Sequence, residues 1–203
     1  MTTPPFSLCL FDLGNVILNF DFVLATRRLA PVCNLTPDEI YQRMASWEGI
    51  ISFEEGKITP TQFCEAMKQR LNCPLSDELF LPIWAEIFSE NEEVSFLVRR
   101  VLKRVPVVLV SNTNRLHFDY CYQTFQIVRE IGQFALSCEV GARKPDPRIY
   151  EVALDKFKIP PEKTVYVDDL EALIQAGKTL GLEAILFKGA KRLEEDLQER
   201  GLL

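Results

Sequence analysis

Histidine is almost missing from this chain: among 203 residues there is one, His117. Chemistry that needs two imidazoles is excluded by count, whether a two-histidine metal site or a phosphatase with a histidine nucleophile and a histidine donor. Paired cysteine motifs are missing too. Cys9, Cys33, Cys64, Cys73, Cys121 and Cys138 contain no C-x-x-C pair, and most fall inside apolar stretches. They read as buried free thiols of a reducing cytoplasm. No apolar run approaches the ~18 residues of a membrane span, so no membrane partner is expected. Met1-Thr2-Thr3-Pro4-Pro5 carries no positive charge, and no secretory signal is expected there. Basic residues are in deficit: 23 Lys and Arg against 29 Asp and Glu give a net charge of −6. That speaks against a nucleic-acid partner, which asks for a basic face.

What is present suits a folded globule. Hydrophobic residues make up 47% and charged residues 26%, enough to build a core in one domain or one core with an insertion. Residues 7–11, 106–110, 164–167 and 183–187 are short, continuously apolar runs, and 134–138 is a weaker one. Such runs mark parallel strands covered on both faces. Helical stripes lie between them, for example Val94, Leu97, Val98, Val101 and Leu173, Ala176, Gly177, Leu180. The alternation predicts an α/β fold with a doubly wound parallel sheet.

Residues 21–88 break that rhythm, with four helical patterns and no convincing strand. Two open on Thr36-Pro37-Asp38-Glu39 and Thr59-Pro60-Thr61-Gln62, sequences that cap a helix and place Pro at its first position. The expected organisation is a catalytic core over 1–18 and 89–203, interrupted by a four-helix module over 19–88.

The chemistry follows the strands. The first run is followed by Asp12, in Phe11-Asp12-Leu13-Gly14-Asn15-Val16. The second is followed by Ser111-Asn112-Thr113-Asn114, and the third by Asp168-Asp169. Parallel sheets bind ligands beyond the carboxyl ends of their strands, so these groups are aimed at one edge. Each alone is an ordinary turn or cap residue. Gly141-Ala142-Arg143-Lys144-Pro145-Asp146-Pro147 adds a cation on a constrained loop, because Pro145 disfavours helix at Lys144.

Taken in order, Asp12, Ser111, Lys144 and Asp168-Asp169 resemble the four motifs of the haloacid dehalogenase superfamily, across nearly the whole chain. The helical insertion looks like that family's α-helical cap. FDLGNV, VSNTNRLH and RKPDPRIY resemble its bacterial sugar-phosphatase branch. The resemblance implies a cytoplasmic phosphatase of small phosphorylated metabolites, with aldose 1-phosphates favoured. It casts Asp12 as nucleophile, Ser111 and Asn112 as phosphate contacts, and Lys144 as the group stabilising nucleophile and phosphate. Mg²⁺ would be held by Asp12, the Gly14 carbonyl, Asp168 and Asp169, with one acid of the pair binding directly and the other acting through water or Lys144. Trp47, Phe53, Glu55 and His117 are candidate specificity residues, and a monomer or weak dimer is expected.

Two departures from the family pattern stand out. Most phosphatases of the superfamily carry a second aspartate two residues after the nucleophile, where this chain has Gly14. Without that acid, better leaving groups are favoured; Asp21 or a water is a candidate source of the proton. Leu173 stands where relatives often have Asn. A haloacid dehalogenase would use the same Asp12, but needs no metal and so leaves the acidic pair without a purpose. A phosphometabolite-binding protein that kept the scaffold is the non-enzymatic alternative.

Overall fold

A computed structural model of the chain describes residues 5–203. Of the N-terminal sequence read above for a signal, residues 1–4 lie outside the described residues. The strands are β1 (Leu8–Phe11), β2 (Leu18–Phe20), β3 (Phe88–Glu90), β4 (Val107–Ser111), β5 (Phe134–Leu136), β6 (Thr164–Asp168) and β7 (Glu183–Leu186). Five of them form one parallel sheet in the order β5-β4-β1-β6-β7. β1 lies at its centre, with β4 and β6 on either side.

Helices α1 (Phe22–Cys33), α2 (Pro37–Ala45), α3 (Gly49–Glu54), α4 (Pro60–Leu71) and α5 (Asp77–Ala85) make up the insertion. The rest are α6 (Glu92–Leu102), α7 (Arg115–Thr124), α8 (Gln126–Ile131), α9 (Ser137–Val140), α10 (Pro147–Asp155), α11 (Glu171–Thr179) and α12 (Ala190–Glu199). Alternate residues of the central strands feed opposite faces of the sheet, as the two-residue strand period requires. Cys9, Phe11, Val107, Leu109, Val165 and Val167 pack with Val94, Val98, Phe118 and Leu193 on one side. Leu8, Leu10, Val108, Val110 and Tyr166 pack with Ile149, Ala153 and Ile174 on the other. The doubly wound reading therefore holds.

Three local differences have physical reasons. The apolar run 134–138 is a strand only to Leu136. Ser137 then starts a single helical turn, closed by Gly141 at φ 72° with its N–H on the Ser137 carbonyl. The insertion has five helices rather than four, because α3 is too short to show a period. It also begins and ends in strand: β2 and β3 pair antiparallel, Leu18 with Glu90 and Phe20 with Phe88. Three-residue strands fall below what periodicity can detect. Both capping boxes form: Thr36 exchanges bonds with Glu39, and Thr59 with Gln62.

The insertion has its own core, in which Phe53, Phe63, Phe80 and Trp84 are buried with Leu29, Ile40 and Met67. Two seams fasten it to the sheet domain. At the first, the Ser137 hydroxyl lies 2.5 Å from the Glu54 carbonyl oxygen. Beside it, Gly56 adopts φ +68°, and a Cβ there would stand 2.2 Å from the Cys138 carbonyl oxygen.

The second seam runs through His117, buried on α7. Asn114 caps that helix, its Oδ1 accepting from the His117 N–H at 3.0 Å. This turns the Asn114 amide NH₂ toward His117 Nδ1, 3.1 Å away. Nδ1 therefore accepts, the ring proton sits on Nε2, and Nε2–H donates to the Trp84 carbonyl of α5 at 3.1 Å. The ring also stacks on Trp84, with centroids 5.8 Å apart. Burial pushes its pKa down to about 4, against the opposing pull of the Trp84 carbonyl.

Two predictions follow from these seams. Gly56→Ala combines a left-handed backbone with a backbone clash and should cost roughly 2–4 kcal/mol, read from urea denaturation. Retention of full stability would mean that the seam is loose. At His117, the folded ring charges near pH 4 and the unfolded ring near 6.5. Between those values the unfolded chain binds a proton that the folded chain does not. The stabilisation is thus complete above pH 6.5 and fades as pH falls toward 4, by about 3 kcal/mol in all. Stability measured across that window should fall less steeply for His117→Gln than for the parent; equal slopes would show that the ring charges freely in the folded state.

Candidate active site

The ends of β1, β4 and β6 open into a cleft of about 280 Å³ between the sheet and the helical insertion. Asp12, the residue after β1, lines it, as do Ser111 at the end of β4 and Asp169 just past β6. Parallel pairing of β1 with both β4 and β6 is what brings these sequence-distant groups to one edge. Lys144 arrives on the loop before α10. Its main chain is clamped by one side chain: Asn112 Oδ1 accepts from the Lys144 N–H at 2.7 Å, and Asn112 Nδ2 donates to the Lys144 carbonyl at 3.0 Å. The peptide bond between Lys144 and Pro145 is cis.

Lys144 Nζ is buried between two carboxylates, 2.7 Å from Asp12 Oδ1 and 2.7 Å from Asp168 Oδ2. The Asp12 Oδ1 also accepts from the Leu13 N–H at 2.8 Å. Asp168 is fully enclosed: Tyr166 donates its hydroxyl to Oδ2, and the Leu170 N–H donates to Oδ1 at 2.9 Å. The adjacent acids thus differ. Asp168 is consumed by Lys144, Tyr166 and the Leu170 backbone, whereas Asp169 faces the cleft.

Burial pushes the Asp12 carboxyl up to about 6; Lys144 pulls it down and Asp168 pushes it further up. The cost of desolvation thus outweighs the neighbouring ammonium. For Lys144, burial favours the neutral amine, but Asp12 and Asp168 outweigh it and hold the ammonium above its ordinary range. Burial and then the Asp168 charge raise Asp169, against a hydrogen bond from Asn15.

Asp12, Asp168 and Asp169 offer carboxylate oxygens within 4.8 Å of one another. With one ammonium among them, two negative charges remain uncompensated in a largely buried place. An all-oxygen set of this charge fits a hard divalent cation such as Mg²⁺. Asp12 and Asp169 line the cleft as candidate ligands, with Gly14 beside them.

The other site expectations fare unevenly. Asn112 reaches the cleft, but its amide is occupied in holding Lys144. His117 lines the cleft as well, though both ring nitrogens are engaged. Trp47, Phe53 and Glu55 are not among the lining residues. Phe53 stacks on Phe63 at 4.2 Å and Trp47 packs against the same ring, so both are core of the insertion. Glu55 pairs with Lys57 instead. Asp21 is exposed and caps α1 through the Val23 N–H, away from the cleft lining.

Glu54 lines the cleft where Glu55 was expected, and Arg143 joins it from beside Lys144. One step along a helix rotates a side chain by about 100°, so an unseen α3 hides which of two glutamates points inward. Phe20, Phe22 and Phe88, from the ribbon and α1, complete an apolar wall. A Cβ on Gly14 would meet the partly exposed Phe20 ring at 3.2 Å, a tight contact that a small shift of the ring would relieve.

Comparison with known proteins fits this geometry. The D-ribitol-5-phosphate phosphatase of Bacteroides thetaiotaomicron is 25% identical over 181 residues, 85% of this chain and 87% of that protein. The bifunctional epoxide hydrolase 2 of Sus scrofa is 31% identical over 85 residues, 42% of this chain; the chain accounts for only 13% of that longer protein. Among solved structures, a HAD family enzyme of Bacteroides thetaiotaomicron, in complex with magnesium and inorganic phosphate, superposes with a TM-score of 0.76. That match has 23% identity and covers 90% of this chain and 94% of the other. The model of the haloacid dehalogenase-like hydrolases matches residues 6–181, which takes in β1, the helical insertion, Lys144 and the acidic pair, and the chain belongs to that family.

Proposed function

We propose that this hydrolase is a Mg²⁺-dependent phosphatase of small phosphorylated metabolites, sugar or polyol phosphates, with aldose 1-phosphates favoured. The observation that carries the reading is the buried Lys144 held between Asp12 and Asp168, with Asp169 lining the cleft beside them. The phosphatase relative that spans most of this chain, and the magnesium and phosphate of the solved HAD family enzyme, support it. In this reading residues 19–88 form a cap over the cleft.

Asp12 attacks phosphorus; the phosphorus–oxygen ester bond breaks and an aspartyl-phosphate forms. Water then attacks the same phosphorus, releasing inorganic phosphate and restoring the carboxylate. Splitting the hydrolysis this way replaces one difficult displacement by two easier ones. Phosphoryl transfer depends mainly on positioning and charge stabilisation. Lys144 fixes the rotamer of Asp12 and offsets phosphoryl charge, Asn112 holds Lys144 in place, and Ser111 receives a phosphoryl oxygen. Mg²⁺, held by Asp12, Asp169 and the Gly14 carbonyl, would neutralise further charge on the phosphoryl group. Asp168 serves through Lys144. The dehalogenase alternative leaves the charge excess of the three acids without a function.

The first test is a panel of phosphorylated metabolites with Mg²⁺ and with EDTA. Turnover should require the metal, and Asp12→Asn should reduce it at least ~10³-fold while the protein stays folded. Substantial activity in the variant would remove Asp12 from the role of nucleophile.

The second concerns the proton for the leaving oxygen. Position 14 carries no acid, and the exposed Asp21 caps α1 and is not among the cleft-lining residues; in this reading neither position supplies a carboxylic acid to that oxygen. General acid help of roughly 10²–10⁴-fold is forgone. Across aryl phosphates of similar shape, the rate of the first chemical step should fall steeply as the leaving-group pKa rises. A flat series would show that a proton arrives from another group.

A further inference from the structure

The phosphoryl end of the cleft accounts for Asp12, Ser111, Lys144 and Asp169. The alcohol part of an ester must meet the rest of the lining. Phe20, Phe22 and Phe88 give the cleft an apolar wall. Of the polar groups there, His117 has both nitrogens engaged and the Asn112 amide is tied to Lys144. Among the described lining residues, the charged side chains left over are Glu54, from the end of α3, and Arg143, from the loop before Lys144.

Arg143 Nε lies 2.9 Å from Glu54 Oε2, and these two atoms are buried against each other. Both side chains remain partly exposed, and among the described residues Glu54 Oε1 and the Arg143 Nη atoms have no hydrogen-bond partner. A carboxylate oxygen and guanidinium N–H groups are thus offered side by side to the cleft. The two charges cancel, which disfavours a second phosphate or a carboxylate there. A neutral partner with a donor and an acceptor on neighbouring atoms fits: two hydroxyls on adjacent carbons.

We propose that Glu54 and Arg143 form a clamp for a vicinal diol on the leaving group, so that the enzyme selects phosphate esters of polyhydroxylated alcohols. This rests on the phosphatase reading above. Glu54 accepts from one hydroxyl, Arg143 donates to the next, and the aromatic wall packs the carbon skeleton. A site built around substrate hydroxyls discriminates strongly against analogues that lack them, since its own buried groups are then left unpaired.

The test compares ribitol 5-phosphate, pentyl phosphate and p-nitrophenyl phosphate. The first two are five-carbon primary esters with and without hydroxyls, and the third reports the chemical step. The parent should prefer ribitol 5-phosphate to pentyl phosphate in kcat/KM. Glu54→Ala and Arg143→Ala should each lower that preference on the order of 10–100-fold, chiefly through KM, and the double variant should add little further. Normalised to turnover of p-nitrophenyl phosphate, which has no vicinal diol, the loss should fall on ribitol 5-phosphate. Should an alanine variant fail to fold, Glu54→Gln and Arg143→Lys keep the side-chain volume and should still reduce the preference.

A pair that merely latches the insertion to the sheet would slow all three substrates alike, and that outcome overturns the clamp. So does a parent that treats the two alkyl esters equally while hydrolysing the aryl ester, which leaves the phosphatase reading intact. If the parent splits none of the three, the phosphatase reading itself fails and the clamp falls with it.

Discussion

The ammonium of Lys144, buried between Asp12 and Asp168, is the contact on which the rest of this site depends. Two carboxylates this close and this enclosed repel each other and lose hydration; a single cation between them makes both tolerable. Supporting structure converges on that cation. Asn112 holds its backbone from the end of β4, and Tyr166 and the Leu170 N–H fix Asp168 from β6. Three strands of the sheet are thereby tied at their carboxyl ends through one residue, Lys144. What the arrangement leaves over is an excess of negative charge at the cleft edge, centred on Asp12 and Asp169, and this is the feature that invites a divalent cation.

The helical insertion turns this charged edge into an enclosed cleft. It leaves and re-enters the sheet domain through the β2–β3 ribbon, whose Phe20 and Phe88 become part of the cleft wall. It is then held at two further places, the Ser137 and Gly56 seam and the His117–Trp84 hydrogen bond. The ribbon's Phe20 also lies close to Gly14, its ring 3.2 Å from where a Cβ there would stand.

Residue type and order made much of this legible from sequence. Apolar runs, each followed by an acid or hydroxyl, identify the central strands and the edge where ligands bind, because strand burial and strand polarity are local properties. Thr36 and Thr59 announce their helices through capping chemistry that needs only four consecutive residues. Lys144 is singled out by the proline that follows it.

Tertiary structure decided whatever depends on the direction of a side chain. Asp168 and Asp169 are equal in sequence; extended chain sends one into the core, where Lys144, Tyr166 and Leu170 occupy it, and the other to the cleft. Glu54 and Glu55 differ by one step of a helix too short to be recognised, and that step selects Glu54 for the cleft. Trp47 and Phe53 look like surface recognition residues until the core of the insertion claims them around Phe63. Asn112 looks like a phosphate contact until the loop carrying Lys144 folds back onto it. Sequence by itself determined which chemical groups this protein has and along which edge they gather. Only packing determined which of them still have a free atom, because hydrogen bonds and ion pairs are consumed by neighbours distant in sequence, as Asp12 is by Lys144.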